Sequence, residues 1–254
     1  MSIETRKTLL LIITILLSVS ISKAQNKTIG IGRLQVSLNH DIPLYHVKTG
    51  LCIDTIKFSI IESGEHEGKF IATTNLSFKP FAYYAGDSER ETIMNVRMGL
   101  TYIAPSLAFR VLRYSKNEYV VVLNEESFET AIIKNDTMHK LYTLGEPYWD
   151  MKHNSSRDGQ SPDEIWFLYE TWDTYLKRMM FVLIGTDNKL YDNINGKEIN
   201  VAYSEILHWT VIKTKRNWAK VVERKYLGDK EQVAWIRWTD GEKFLIGLYP
   251  EMYY

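Results

Sequence analysis

Leu190-Tyr191-Asp192-Asn193-Ile194-Asn195-Gly196-Lys197-Glu198-Ile199 opens the most legible part of the chain. An earlier stretch, Leu44-Tyr45-His46-Val47-Lys48-Thr49-Gly50-Leu51-Cys52-Ile53, has the same L-Y-x4-G-x2-I spacing. Downstream of Leu190, β-prone runs at 189–193, 198–203, 207–213, 218–223, 232–238 and 243–248 alternate with turn signals. Those signals stand at Asn195-Gly196, Lys215-Arg216-Asn217, Gly228-Asp229 and Asp240-Gly241. Asn-Gly and Asp-Gly tolerate positive φ and suit tight hairpins, so strands this short and this closely joined predict a small barrel.

Two further matches follow in the same order. Asn117-Glu118-Tyr119-Val120-Val121-Val122 parallels Arg216-Asn217-Trp218-Ala219-Lys220-Val221, and Thr130-Ala131-Ile132-Ile133-Lys134 parallels Val233-Ala234-Trp235-Ile236-Arg237. Ordered self-similarity argues for duplication. Tyr45 and Tyr119 are 74 positions apart and Tyr191 and Trp218 are 27, which gives the first copy an insertion of 47 residues, placed at about 63–100. The insertion holds the aromatic stretch Phe78-Lys79-Pro80-Phe81-Ala82-Tyr83-Tyr84. The alternative is an accidental Leu44 match in front of an unrelated N-terminal sheet, and the region is β-rich either way.

Trp218-Ala219-Lys220-Val221 followed by Ala234-Trp235-Ile236-Arg237 resembles the bacterial SH3-like (SH3b) pattern, in which a Trp-x-Lys-Val strand is answered by a Gly-Trp-Ile strand. The resemblance covers about 189–249 well and about 42–134 more weakly. Ala234 takes the usual glycine position, and Ile132 takes the place of the tryptophan in the first copy. The resemblance implies a small barrel that binds peptides, cell-wall material or another protein, without catalysis. The predicted architecture is therefore all-β: two small SH3-like barrels joined by a short helix-containing linker, the first with a large insertion. Expected boundaries are a signal peptide at 1–24, an N-terminal β domain at 25–145, a linker at 146–184 and a C-terminal barrel at 185–254.

The leader reading rests on Arg6 and Lys7 before an apolar run from Leu9 to Leu17 and small residues ending at Ser22-Lys23-Ala24. That is a charged n-region, an h-region and a cleavage site. Cleavage would leave Gln25 first, with no transmembrane segment remaining, and place the chain in the periplasm or outside the cell. The remainder carries 28 basic and 30 acidic side chains. Near-neutrality and the lack of a basic run disfavour nucleic acid as a partner.

Catalytic and metal chemistry find little footing. Cys52 is the single cysteine, so no internal disulfide forms. Its context, with His46 nearby, is only loosely similar to L,D-transpeptidases, since Leu51 replaces a glycine and Asp54 an arginine. Between Leu51 and Ile53 it reads as a small core residue. The six histidines lack metal-ligand spacing, and Glu62, Glu65, His66 and Glu67 read as a solvated turn between Gly64 and Gly68. No cofactor is expected.

Ser161-Pro162-Asp163-Glu164 has the form of a capping box, and Trp172, Tyr175, Leu176, Met179 and Met180 share one helical face. A short helix near 171–177 is expected between strands, its aromatic stripe packing the two barrels together. The expected ligand-binding residues are the aromatics of the second barrel, Tyr191, Trp218, Trp235 and Trp238. Alternation sends Trp235 and Trp238 to opposite sides, with Trp235 outward. An outward tryptophan either stacks on a sugar or peptide, or covers the barrel end. The expected function is non-catalytic binding of peptidoglycan or other cell-wall material, a glycan or an envelope protein. Alternatives are a periplasmic inhibitor or immunity protein and an unrecognised cell-wall hydrolase.

Overall fold

The computed structural model describes residues 27–37, 40–60, 70–84, 106–116, 118–135, 140–142, 166–179, 181–184, 188–199, 209–223 and 232–249. The expected signal peptide, the capping box at Ser161, the Glu62–Glu67 turn and the Gly228-Asp229 turn lie outside them. The described part is predominantly β, built as two curled sheets, or half-barrels, with one short helix.

The first sheet contains β1 (Gly32–Ser37), β2 (Ile42–Tyr45), β3 (Cys52–Ile60), β4 (Phe70–Thr73), β5 (Ala82–Tyr84), β6 (Ser106–Ser115), β7 (Glu118–Asn124), β8 (Glu129–Lys134), β9 (Lys140–Tyr142) and β10 (Trp166–Thr171). Its order is β4-β3-β2-β8-β7-β6-β1-β10-β9, with β5 on β6. The helix α1 (Trp172–Lys177) follows, and then the second sheet: β11 (Phe181–Leu183), β12 (Leu190–Tyr191), β13 (Glu198–Ile199), β14 (Trp209–Lys215), β15 (Trp218–Glu223), β16 (Val233–Arg237) and β17 (Gly247–Tyr249). Its order is β13-β12-β16-β15-β14-β11-β17.

Taken in chain order, the path β3-β2-β8-β7-β6-β1-β10 is the same as that of the whole second sheet. The likeness extends to single residues. The β6–β7 and β14–β15 ladders both shift register, between Val111 and Arg113 and between Val211 and Lys213. Both hairpins turn through two residues, with Lys116 at φ 52° and Arg216 at φ 53°. Tyr45 pairs with Ile132 as Tyr191 pairs with Trp235. One sequence match needs correcting. Glu118 faces Lys134 as Trp218 faces Arg237, so Glu118, not Tyr119, stands where Trp218 does. Tyr119 points inward with Ala219. An aromatic at either end of a polar turn looks alike in sequence, while the ladder fixes which face each one takes.

The described residues of the stretch expected as a linker, 166–179 and 181–184, divide between strand and helix. β10 pairs with β1 through Gly32↔Thr171 to Val36↔Phe167, inside the first sheet, and β11 belongs to the second. Gly32 permits this approach, because a Cβ there would come within 2.1 Å of the Glu170 carbonyl oxygen. Along the chain, only α1 and its flanks run between the sheets. Thr171 caps the helix, its hydroxyl accepting from the Thr174 amide at 3.3 Å. Trp172, Tyr175, Leu176 and Met179 are buried as one stripe.

One core lies within the first sheet around Leu34, Phe109, Tyr119, Val121 and Phe167. The other joins the second sheet's inner face to α1 and to Ile29, Phe81, Ala82 and Ala108. The segment before β1 stitches the halves together. Ile29 N–H donates to the Gly241 carbonyl at 2.6 Å, and the Trp172 indole donates to the Ile29 carbonyl at 2.9 Å. Arg110 pairs with Glu125 and donates to the carbonyls of Thr28 at 2.8 Å and Glu242 at 2.5 Å. At the end of β10, buried Glu170 accepts from Arg33 at 3.1 Å and from Arg178 at 2.6 Å, while the Arg33 guanidinium lies 4.1 Å from the Tyr175 ring centre.

Candidate functional site

β15 (Trp-Ala-Lys-Val-Val-Glu) and β16 (Val-Ala-Trp-Ile-Arg) alternate strictly between wet and buried positions. That period of two places Ala219, Val221, Ala234 and Ile236 in the core and leaves Trp218, Lys220, Trp235 and Arg237 on the other side. Residues directly opposite on neighbouring strands share a face. The ladders therefore build a row Glu198, Tyr191, Trp235, Lys220, Lys213, running from β13 to β14. A second row beside it holds Arg237, Trp218 and Lys215.

Three of the four aromatics singled out in the sequence thus share one surface. Tyr191 and Trp218 meet edge to face across β16, ring centres 5.2 Å apart and planes at 83°. The Arg237 guanidinium lies 5.9 Å from the Trp218 ring centre. Trp235, on the strand that separates those of Tyr191 and Trp218, is half-buried. Trp238 is not part of this surface. It is 5% exposed, packs on Phe244 at 5.4 Å and donates its indole N–H to the Arg216 carbonyl at 2.8 Å.

Sequence reading missed the cations here. Lys213, Lys215, Lys220 and Arg237 alternate with inward residues on three strands, so they never form a run; they gather only when the sheet forms. The signal available was a lysine or arginine two positions from each outward tryptophan.

The corresponding surface of the first sheet is different. Ile132 stands for Trp235 and Val120 for Lys220, and both are buried, at 5% and 8% exposure. β7 is buried at every position after Glu118, on both faces. Lys134 sits 4.2 Å over the Tyr45 ring and pairs with Glu118 at 3.5 Å.

Cys52 is exposed, which corrects the expectation of a core position. Leu51 and Ile53 beside it are 68% and 43% exposed, because this end of β3 lies in a ribbon with one wet face after another and not over the core. His46 instead closes its own turn, Nδ1 lying 3.1 Å from the Thr49 hydroxyl. Asp54 is held down to about 2, chiefly by the Thr74 hydroxyl, with backbone N–H groups and the Asn75 side chain adding to it. Its carboxylate accepts from the Asn75 amide at 2.7 Å and the Leu76 amide at 3.2 Å, pinning the turn after β4 to β3. Among the described residues no three His, Cys, Asp or Glu side chains gather as a cation-holding group. Among them, too, no helix is long and apolar enough to cross a membrane.

The chain matches no family model, no curated protein and no solved structure.

Proposed function

We propose that this chain is an exported, non-catalytic binding protein of two SH3-like units, and that the second unit holds cell-wall glycan against Tyr191, Trp218 and Trp235. The observation that carries the reading is the aromatic surface itself: three large rings left on the wet side of a sheet whose other side is fully packed. An aromatic ring offers an apolar face and, in tyrosine and tryptophan, a polar tip, a pairing suited to a sugar that is apolar on its ring face and polar at its edge. The Trp-x-Lys-Val and Trp-Ile-Arg strands and the leader at 1–24 support the same reading from the sequence. The first unit contributes packing, since its equivalent positions are buried or internally paired.

The test is retention of the purified protein on insoluble peptidoglycan, with Trp235→Ala beside it. Retention that Trp235→Ala weakens by about tenfold, the scale of one lost aromatic contact, supports the reading. Retention indifferent to Trp235 moves the site elsewhere, and no retention removes the cell-wall reading in favour of an envelope protein as partner.

A further inference from the structure

We infer that the ligand of this surface is an acidic glycan, a sugar polymer bearing carboxylates; the inference rests on the binding reading above and narrows it. Lys213 and Lys220 continue the row that holds Trp235, and Lys215 and Arg237 flank Trp218. None of these four cations forms an ion pair among the described residues, whereas Lys189, near the end of the row, is taken up by Glu198 at 2.7 Å. The whole chain is neutral, with 31 basic and 31 acidic side chains, so the concentration of unpaired positive charge around the rings is local.

The first sheet supplies the contrast. Its residues at the same ladder positions are Arg113, Val120, Ser115 and Lys134, and Lys134 is neutralised by Glu118. Arg113 alone answers the four cations that accompany the wet rings of the second sheet. An anion held there gains from charge-assisted contacts with lysine and arginine, while a sugar ring covers the aromatics.

Other anionic polymers fit less well. Tyr191 and Trp218 meet at 83°, so they present one face and one edge in place of the successive parallel platforms that stacked bases use. A peptide that docks by adding a strand needs a free sheet edge, and β12, β16, β15 and β14 are each paired on both sides. A ring lying flat on the sheet needs no free backbone group.

The experiment is titration by tryptophan fluorescence and calorimetry with oligogalacturonate and with its fully methyl-esterified form, the same polymer without charge. The acidic form is expected to bind about tenfold tighter or more, and to weaken between about 50 and about 300 mM salt as screening shortens. Lys213→Glu with Arg237→Glu, both at exposed positions, is expected to remove that preference while the far-UV circular dichroism stays unchanged. Equal binding of the two forms, dependent on Trp235, overturns the acidic preference and leaves the binding reading intact. So does failure to bind either form while peptidoglycan retention still depends on Trp235. Binding that is indifferent to Trp235 overturns both. Tighter binding of oligothymidylate or polyglutamate at matched charge also overturns the inference, by assigning the surface to another class of polymer.

Discussion

Replacing Glu170 by glutamine removes the one negative charge from a cluster in which Arg33 and Glu170 are both fully buried and Arg178 is nearly so. Burial pushes the Glu170 carboxyl up, but Arg178 and then Arg33 outweigh it, so the group titrates below its ordinary value. Breaking a buried pair by removing one partner costs about 3–5 kcal/mol, because the remaining charge stays desolvated. The glutamine carbonyl still accepts one hydrogen bond, returning about 1 kcal/mol, so the expected loss is about 3 kcal/mol. For a chain of this length that is a Tm lower by roughly 10 °C. The assay is thermal and urea unfolding followed by circular dichroism, with Glu126→Gln as the comparison; Glu126 and Lys79 form an exposed pair, at 71% and 57% exposure, and such pairs contribute under about 1 kcal/mol. Acid adds a second readout. A carboxylate depressed in the folded state stabilises above its unfolded pKa, and that contribution is lost as pH falls through the folded value. Wild type should therefore lose stability on acidification below about pH 4.5, and Glu170→Gln should lose less over the same range. A loss under about 1 kcal/mol at neutral pH, or an acid limb of equal slope in both proteins, would refute the reasoning.

Three further outcomes follow from the same geometry. Trp238→Ala removes a buried indole from the cluster with Phe244 and should cost about 3–5 kcal/mol in urea unfolding, whereas Trp235→Ala should cost far less. Native Cys52 should react with a thiol reagent at one equivalent without denaturant, and protection until unfolding would contradict its exposure. Asp54→Asn should speed amide exchange at Asn75 and Leu76; in wild type the same amides should stay protected down through the ordinary carboxylate value of 3.8 and open only as pH approaches about 2, since a depressed carboxylate gives up its contribution on the acid side.

How much was legible depended on whether a strand has one wet face or two dry ones. β15 and β16 alternate, so their extent, their inward residues and the outward direction of Trp235 can be read directly from residue type. β7, Glu-Tyr-Val-Val-Val-Leu-Asn, is apolar on both faces and carries no phase, which is why the match of Tyr119 to Trp218 slipped by one. Cys52 looked internal because apolar neighbours usually mark a core, but Leu51 and Ile53 are themselves exposed. The helix stripe was legible because Trp172, Tyr175, Leu176 and Met179 repeat at helical spacing. The ion cluster was not: Arg33 and Glu170 are 137 positions apart, and a buried charge has the same letter as a solvated one.

The two sheets share strand order and bulge position, so what separates them is what each places outside its core. In the first, apolar residues fill both faces of β7, and Glu118 occupies the site of a tryptophan and cancels a cation; a surface of that kind is held by packing and offers a solute little. In the second, the inner face is committed to α1 and to Ile29 and Phe81 of the first half. Its stability therefore leans less on the outer residues, of which Lys213, Lys215 and Arg237 are exposed, and exposed positions usually change stability by under about 0.5 kcal/mol. Glu118→Trp in the first sheet tests that division. It should free Lys134 from its ion pair without creating a binding surface, because Ile132 and Val120 remain buried beside it, and glycan retention should still depend on Trp235. If Glu118→Trp restored retention in a Trp235→Ala background, burial beside the ring would matter less than the ring itself, and the assignment of function to the second unit would fall.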